Sequence, residues 1–103
     1  MVTLIEIAEI QEKIRKKEYR ISEHAVKRMI QRLIERYEVE EVILSGEIIE
    51  DYPFDKYSPS CLISGQTEVG RPLHVQVSYP PNVVVVTLYE PDTEEWIDGR
   101  IRR

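Results

Sequence analysis

Residues 72–89 read PLHVQVSYPPNVVVVTLY. Leu73, Val75, Val77 and Tyr79 alternate with His74, Gln76 and Ser78, the period of two that a strand with one buried face shows. Pro80-Pro81-Asn82 breaks the run, and Val83 to Val86 resumes it with β-branched residues that suit a central strand. A connection this short leaves no room for a crossover helix, so the strands expected over residues 72–79 and 82–90 are antiparallel neighbours. Alternation puts Leu73, Val75, Val77, Val84, Val86 and Leu88 in the core. His74, Thr87 and Tyr89 then share the opposite face.

Working back from this hairpin, a turn at Val69-Gly70 separates it from a strand over 61–67, and a further strand covers 48–52. Before Gly46 the period is helical. Leu4, Ile5, Ala8, Ile10 and Ile14 recur at three- to four-residue spacing and predict a helix over 3–17. Ser22 is an N-cap with Glu23 in the first turn, opening a helix over 23–36 whose apolar face is Ala25, Val26, Met29, Ile30, Leu33 and Tyr37. Val39, Val42, Ile43 and Leu44 predict a third short helix that Gly46 can stop. Beyond the last strand, Asp92 and Glu95 stand in the capping arrangement ahead of Trp96, which predicts one more helical turn. The fold expected is α+β: N-terminal helices packed on one face of a four-stranded, mostly antiparallel sheet, with a short C-terminal helix.

The chain has 103 residues, which makes one domain over 1–103. A single cysteine, Cys61, excludes an intrachain disulfide and fits a reducing cytoplasm. The first ten residues, with Glu6 and Glu9, do not read as a signal peptide, and no apolar run reaches the roughly 20 residues of a membrane span. Net charge is −5, against a general nucleic-acid coat protein. The charge is segregated, however. Residues 12–37 carry nine lysines and arginines against four glutamates, residues 38–55 carry seven acids and no base, and residues 100–103 are basic again. A basic segment can hold a phosphate chain locally whatever the average; solvated faces are the plainer reading.

Two constellations carry chemistry. His24, Arg28 and Arg32 are spaced by four, so on a helix they fall within about 80° of one another and away from the apolar stripe. Two guanidinium groups and an imidazole on one stripe suit a phosphodiester, and near a helix N-terminus the dipole favours an imidazole that accepts protons. The alternative is a solvated face with Glu-Arg pairs. On the sheet, His74, Thr87 and Tyr89 can bind a nucleotide and move protons, or merely decorate an exposed face. Two histidines and one cysteine far apart show no metal-ligand spacing, the four glycines make no phosphate loop, and Cys61 in an apolar strand suits packing. Cleavage of RNA by its own 2′-hydroxyl fits this inventory, because it needs a base, an acid and a cation but no metal or other cofactor.

The run Ser22-Glu23-His24-Ala25, with Arg28-Met29 and Gln31-Arg32, resembles the opening motif of domain-of-unknown-function family 4258. Gly46-Glu47-Ile48-Ile49 with Tyr52, Gly70-Arg71-Pro72-Leu73-His74-Val75, Thr87-Leu88-Tyr89, Pro91-Asp92 and Trp96 fit it as well, so the resemblance spans residues 21–96. It implies similarity to the RelE-like and BrnT-like toxins of toxin–antitoxin pairs, small ribonucleases with helices packed on a curved antiparallel sheet. It implies RNA as substrate, a small antitoxin protein as partner, and a cytoplasmic setting. His24, His74 and Tyr89 become the expected catalytic residues; Arg28, Arg32 and Thr87 become the expected substrate-binding ones. The family usually has a glycine after Arg32, where this chain has Leu33, which predicts an extended second helix. The competing readings are a non-catalytic binding or regulatory domain on the same scaffold, and a structural protein that forms a homodimer through its sheet edge.

Overall fold

The computed structural model describes residues 7–97 and 99–102. Its elements in chain order are α1 (Ile7–Arg15), β1 (Arg20–Ile21), α2 (Glu23–Arg32), α3 (Arg36–Ser45), β2 (Glu47–Tyr52), β3 (Ser60–Gln66), β4 (Pro72–Ser78), β5 (Val84–Tyr89), β6 (Trp96–Ile97) and β7 (Ile101–Arg102). Leu4 and Ile5 of the first expected helix, and Arg103 of the basic tail, lie outside the described residues.

The architecture is α+β, with one correction to the sheet. It has five strands in the order β1-β5-β4-β3-β2, and β1 pairs parallel with β5, so the sheet is mixed. Two residues of β1 are too few to show a period. The other neighbours are antiparallel, with β4 between β3 and β5 as its apolar alternation requires. Ile10 and Ile14 of α1, Ala25 of α2 and Val39, Val42 and Ile43 of α3 share one buried cluster with Cys61, Ile63, Leu73, Val75, Val77, Val85 and Leu88 of the sheet. All three helices thus bury residues against the same face.

The inward set of β5 differs from expectation. Val83 and Val85 are fully buried, whereas Val84 and Val86 are only half-buried. The cause is a bulge: Gln76 pairs with Thr87 and Val77 with Val85, which leaves Val86 as the extra residue and shifts the alternation by one. Gly46 also acts differently from expectation. Its φ is −92°, so it is no left-handed helix stop. A Cβ there would sit 2.5 Å from the carbonyl oxygens of both Val42 and Ser64. Gly46 is therefore what lets α3 close down on β3.

α2 ends at Arg32, short of the expected 36. Leu33 takes a left-handed φ of 55°, the conformation glycine accepts most readily. The turn expected of a glycine is thus kept by a leucine. The Arg71 guanidinium secures it by donating to the carbonyls of Arg32 (2.8 Å) and Leu33 (3.0 Å). With the helix broken, Leu33 and Tyr37 do not join its apolar face. Of that expected face only Ala25 is buried and Met29 half-buried; Val26, Ile30, Leu33 and Tyr37 are exposed. The expected C-terminal helix is replaced by a turn at Asp92 and the hairpin β6–β7.

Candidate functional site

Ser22 anchors the start of α2 to the sheet. Its Oγ accepts from Ala25 N at 3.0 Å, capping the helix, and donates to the carbonyl of the bulge residue Val86 at 2.9 Å. Two residues on, this sets the exposed His24 against the strand, with Nε2 3.0 Å from Thr87 Oγ1. Thr87 and Tyr89 stand on the same face of β5, about 7 Å apart by strand geometry. Tyr89 in turn meets His74, its cross-strand partner, with the phenol oxygen 3.3 Å from Nδ1. The two histidine constellations therefore adjoin through Thr87 and Tyr89.

Arg28 is half-buried and Arg32 exposed on the His24 stripe of α2. Neither side chain has an ion pair among the described residues. Among the described residues, eight lysines and arginines are paired with carboxylates, and Lys56 lies over the Tyr57 ring. Those left without such a partner are Arg20, Lys27, Arg28 and Arg32, all on β1 and α2. In an acidic protein with carboxylates to spare, this places uncompensated positive charge beside His24.

His74 does not stand on an open face. The β6–β7 hairpin covers it and it is fully buried. Its Nε2 hydrogen-bonds the Gly99 carbonyl, and the Trp96 ring meets it edge-on at a centroid distance of 4.4 Å. A neutral ring that donates from Nε2 to the carbonyl uses Nδ1 to accept from Tyr89. Burial pushes His74 below the ordinary imidazole value, outweighing the opposite pull of the Gly99 carbonyl. Burial likewise raises Tyr89, which keeps its proton at neutral pH.

The same face carries a cluster around Arg102 and Glu50, neither of which is among the expected site residues. Arg102 donates to both carboxylate oxygens of Glu50 at 3.1 and 3.2 Å, and its guanidinium lies 4.5 Å over the Trp96 ring. Glu50 also accepts from the Tyr52 hydroxyl. The Arg102 hydrogen bond holds Glu50 below the usual carboxylate range, while burial and then Glu50 raise Tyr52. The sequence signal for this cluster was the acid-only stretch 38–55 facing the basic tail: Arg100 pairs with Glu47 as Arg102 does with Glu50.

Elsewhere, burial pushes the Cys61 thiol up to about 12, with Asp51 adding to it, so this cysteine packs as a small hydrophobe. A groove of about 810 Å³ between the end of α3, the end of β3 and the 99–100 turn is lined by Glu41, Glu47, Glu68 and Arg100 and by none of the six expected site residues. Among the described residues no group of three or more His, Cys, Asp or Glu is placed to hold a metal ion, and no helix is long and apolar enough to cross a membrane.

The sequence model of one family, described as "Domain of unknown function (DUF4258)", matches residues 21–90. That span runs from β1 to the end of β5 and includes His24, Arg28, Arg32, His74, Thr87 and Tyr89; Trp96 and the covering hairpin lie beyond it. No curated protein and no solved structure matches the chain.

Proposed function

The chain belongs to the DUF4258 family, and we propose that it is a metal-independent endoribonuclease, the toxin half of a toxin–antitoxin pair in the cytoplasm, with a fold of the RelE-like or BrnT-like kind. The observation that carries the reading is the set of uncompensated cations beside the His24–Thr87 pair. Arg28 and Arg32 neutralise the scissile phosphate and its neighbour. Thr87 fixes the imidazole ring, and His24 accepts the proton of the 2′-hydroxyl, whose oxygen attacks phosphorus. Tyr89 gives its proton to the departing 5′-oxygen or stacks on the flanking base. The products are a 2′,3′-cyclic phosphate and a 5′-hydroxyl. His74, enclosed and with both nitrogens engaged, acts as a positioning residue for Tyr89 and does not meet RNA itself.

A non-catalytic binding domain is favoured by that same enclosure of His74, since it removes one of two acid–base groups. The experiment that separates the two incubates purified protein with RNA and with an oligonucleotide of the same sequence in which every 2′-hydroxyl is absent. The nuclease reading expects cyclic phosphate from RNA alone, in EDTA as well, and a fall of about 10²-fold or more in rate for His24→Ala. Binding of RNA without cleavage, with or without ribosomes, establishes the second reading.

A further inference from the structure

Phe54 and Tyr57 are 94% and 88% exposed, and Phe54 is the chain's one phenylalanine. Both stand in the loop of residues 53–59 that joins β2 to β3. Large aromatic side chains usually go to cores, because they bury so much apolar surface; here both are held in water. Their backbone is tied down. Asp55 N donates to Tyr52 O at 3.2 Å. The Asp55 carboxylate accepts from Tyr57 N on Oδ1 and from Ser60 Oγ and Gln76 Nε2 on Oδ2, all at 3.1 Å. Tyr79 N closes the far end by donating to Pro59 O at 3.0 Å. The two rings are thus displayed from a loop that is already ordered.

The Gln76 tie places the loop relative to the candidate site. Gln76 is the cross-strand partner of Thr87, so it shares the face on which Thr87 meets His24. With about 5 Å between paired Cα atoms and the reach of one glutamine side chain, the Asp55 carboxylate lies within roughly 13 Å of Thr87. That is about four stacked nucleotide steps of 3.4 Å.

The chemistry of the loop selects its occupant. Residues 53–59 include no leucine, isoleucine, valine or methionine, so the rings have no aliphatic surround within the loop to seat the side chains of a protein. What they offer is planar faces. Lys56 Nζ stands 5.4 Å from the Tyr57 ring centroid, on one of its two faces. The acids beside the loop are engaged, Asp51 with the Tyr79 hydroxyl and Glu50 with Arg102, and they disfavour a phosphate against β2. A base brings a π face and no charge, and its stacking on an aromatic ring tolerates any sequence. The phosphates are met at the other end of the face, by Arg28 and Arg32.

We propose that this loop is a second subsite of the RNA face, where Phe54 and Tyr57 stack on unpaired bases a few nucleotides from the scissile phosphate. The inference rests on RNA as the ligand and is indifferent to whether the RNA is cut.

The test measures binding by fluorescence anisotropy in a His24→Ala background, so that no cleavage intervenes. The probes are a labelled, unstructured RNA of about 12 nucleotides and the same strand annealed to its complement. Phe54→Ala and Tyr57→Ala should each weaken binding of the single strand at least about fivefold and leave the duplex unchanged. Phe54→Leu, apolar but without a π face, should bind as weakly as Phe54→Ala, and Phe54→Trp should restore binding. None of these removes a phosphate contact, so the salt dependence should stay as it is, whereas Arg28→Gln should flatten it. Both rings are exposed, so the variants keep the fold. Unchanged binding in Phe54→Ala and Tyr57→Ala overturns the platform. So does a leucine that replaces Phe54 without loss, since the ring would then serve as general apolar surface. If such variants, with His24 restored, still cut RNA at an unchanged KM, the platform falls and the nuclease reading stands; stacking without cleavage by the wild type does the reverse. Absence of RNA binding overturns both.

Discussion

Replacing Leu33 by glycine should make the isolated protein more stable. The residue sits at φ 55°, where a Cβ crowds the following carbonyl, and relieving that strain outweighs the extra freedom glycine gains in the unfolded chain by about 1 kcal/mol. Little burial is lost, because Leu33 is 81% exposed; at about 2 kcal/mol for full burial of a leucine, the remaining fifth contributes roughly 0.4 kcal/mol. The net gain is about 0.5 kcal/mol, or some 2–4 °C in Tm for a domain of this size. Leu33→Ala isolates the backbone effect, since it loses the same contact and keeps the Cβ. The glycine variant should therefore melt about 4–8 °C above the alanine variant, whatever the leucine contributes. Thermal unfolding followed by circular dichroism reads the difference. A glycine variant that melts at or below the alanine variant refutes the left-handed turn at residue 33.

Other substitutions test the frame that holds α2 and the sheet. Arg71→Ala removes the donor to two carbonyls at the end of α2 and the partner of Glu38 (3.7 Å) and Glu90 (3.3 Å); chemical denaturation should show a loss of about 2–3 kcal/mol, which lysine, without the planar fork, restores only in part. Gly46→Ala drives a methyl into two backbone carbonyls and should destabilise by about 3 kcal/mol or lead to insoluble protein, read by urea titration or soluble yield. Burial depresses His74 below the ordinary 6.5, so the unfolded chain takes up a proton first as the pH drops. The stability linked to this ring is complete above about 6.5 and is lost as pH falls through the lower folded value. His74→Gln should be less stable at neutral pH but lose less between about pH 7 and 5 than wild type; equal slopes in the two proteins place His74 in solvent.

The strands were legible because their period is carried by residues that differ in kind: Leu73, Val75 and Val77 against His74, Gln76 and Ser78. The phase of β5 was not, because Val83 to Val86 are four identical residues and either alternate pair fits the core. What decides is the bulge at Val86, whose carbonyl accepts from the Ser22 hydroxyl 64 positions away. β1 carries no sequence signal for a similar reason: two residues have no periodicity, and their strand character comes from pairing with Val84 and Val85. At the C-terminus, the capping pattern of Asp92 and Glu95 was real enough to make a turn, with Trp96 N bonded to Asp92 O. It did not propagate, because Trp96 gains more by packing on His74 than a single isolated helical turn can supply.

The same long-range packing explains which part of the candidate site could be read from the sequence. His24, Arg28 and Arg32 lie on one helix, so their juxtaposition follows from spacing alone. The link from His24 to Thr87 spans 63 positions and depends on the N-cap that ties α2 to β5. His74, Thr87 and Tyr89 were placed on a common face by alternation, and the register His74↔Tyr89 and Gln76↔Thr87 places them there. Alternation reports which side a residue takes and is silent on what covers that side. The cover is a hairpin of two-residue strands, held by Arg102 on Glu50 and by Gly99 on His74. The six expected residues differ accordingly in accessibility: His24 and Arg32 are exposed, Arg28, Thr87 and Tyr89 are half-buried, and His74 is fully buried. On the proposed nuclease reading, catalysis therefore runs on one histidine. His24→Ala should lose cleavage, while His74→Gln, which removes only the partner that positions Tyr89, should keep a measurable part of it; equal loss in both, with folding intact, would overturn that division of roles.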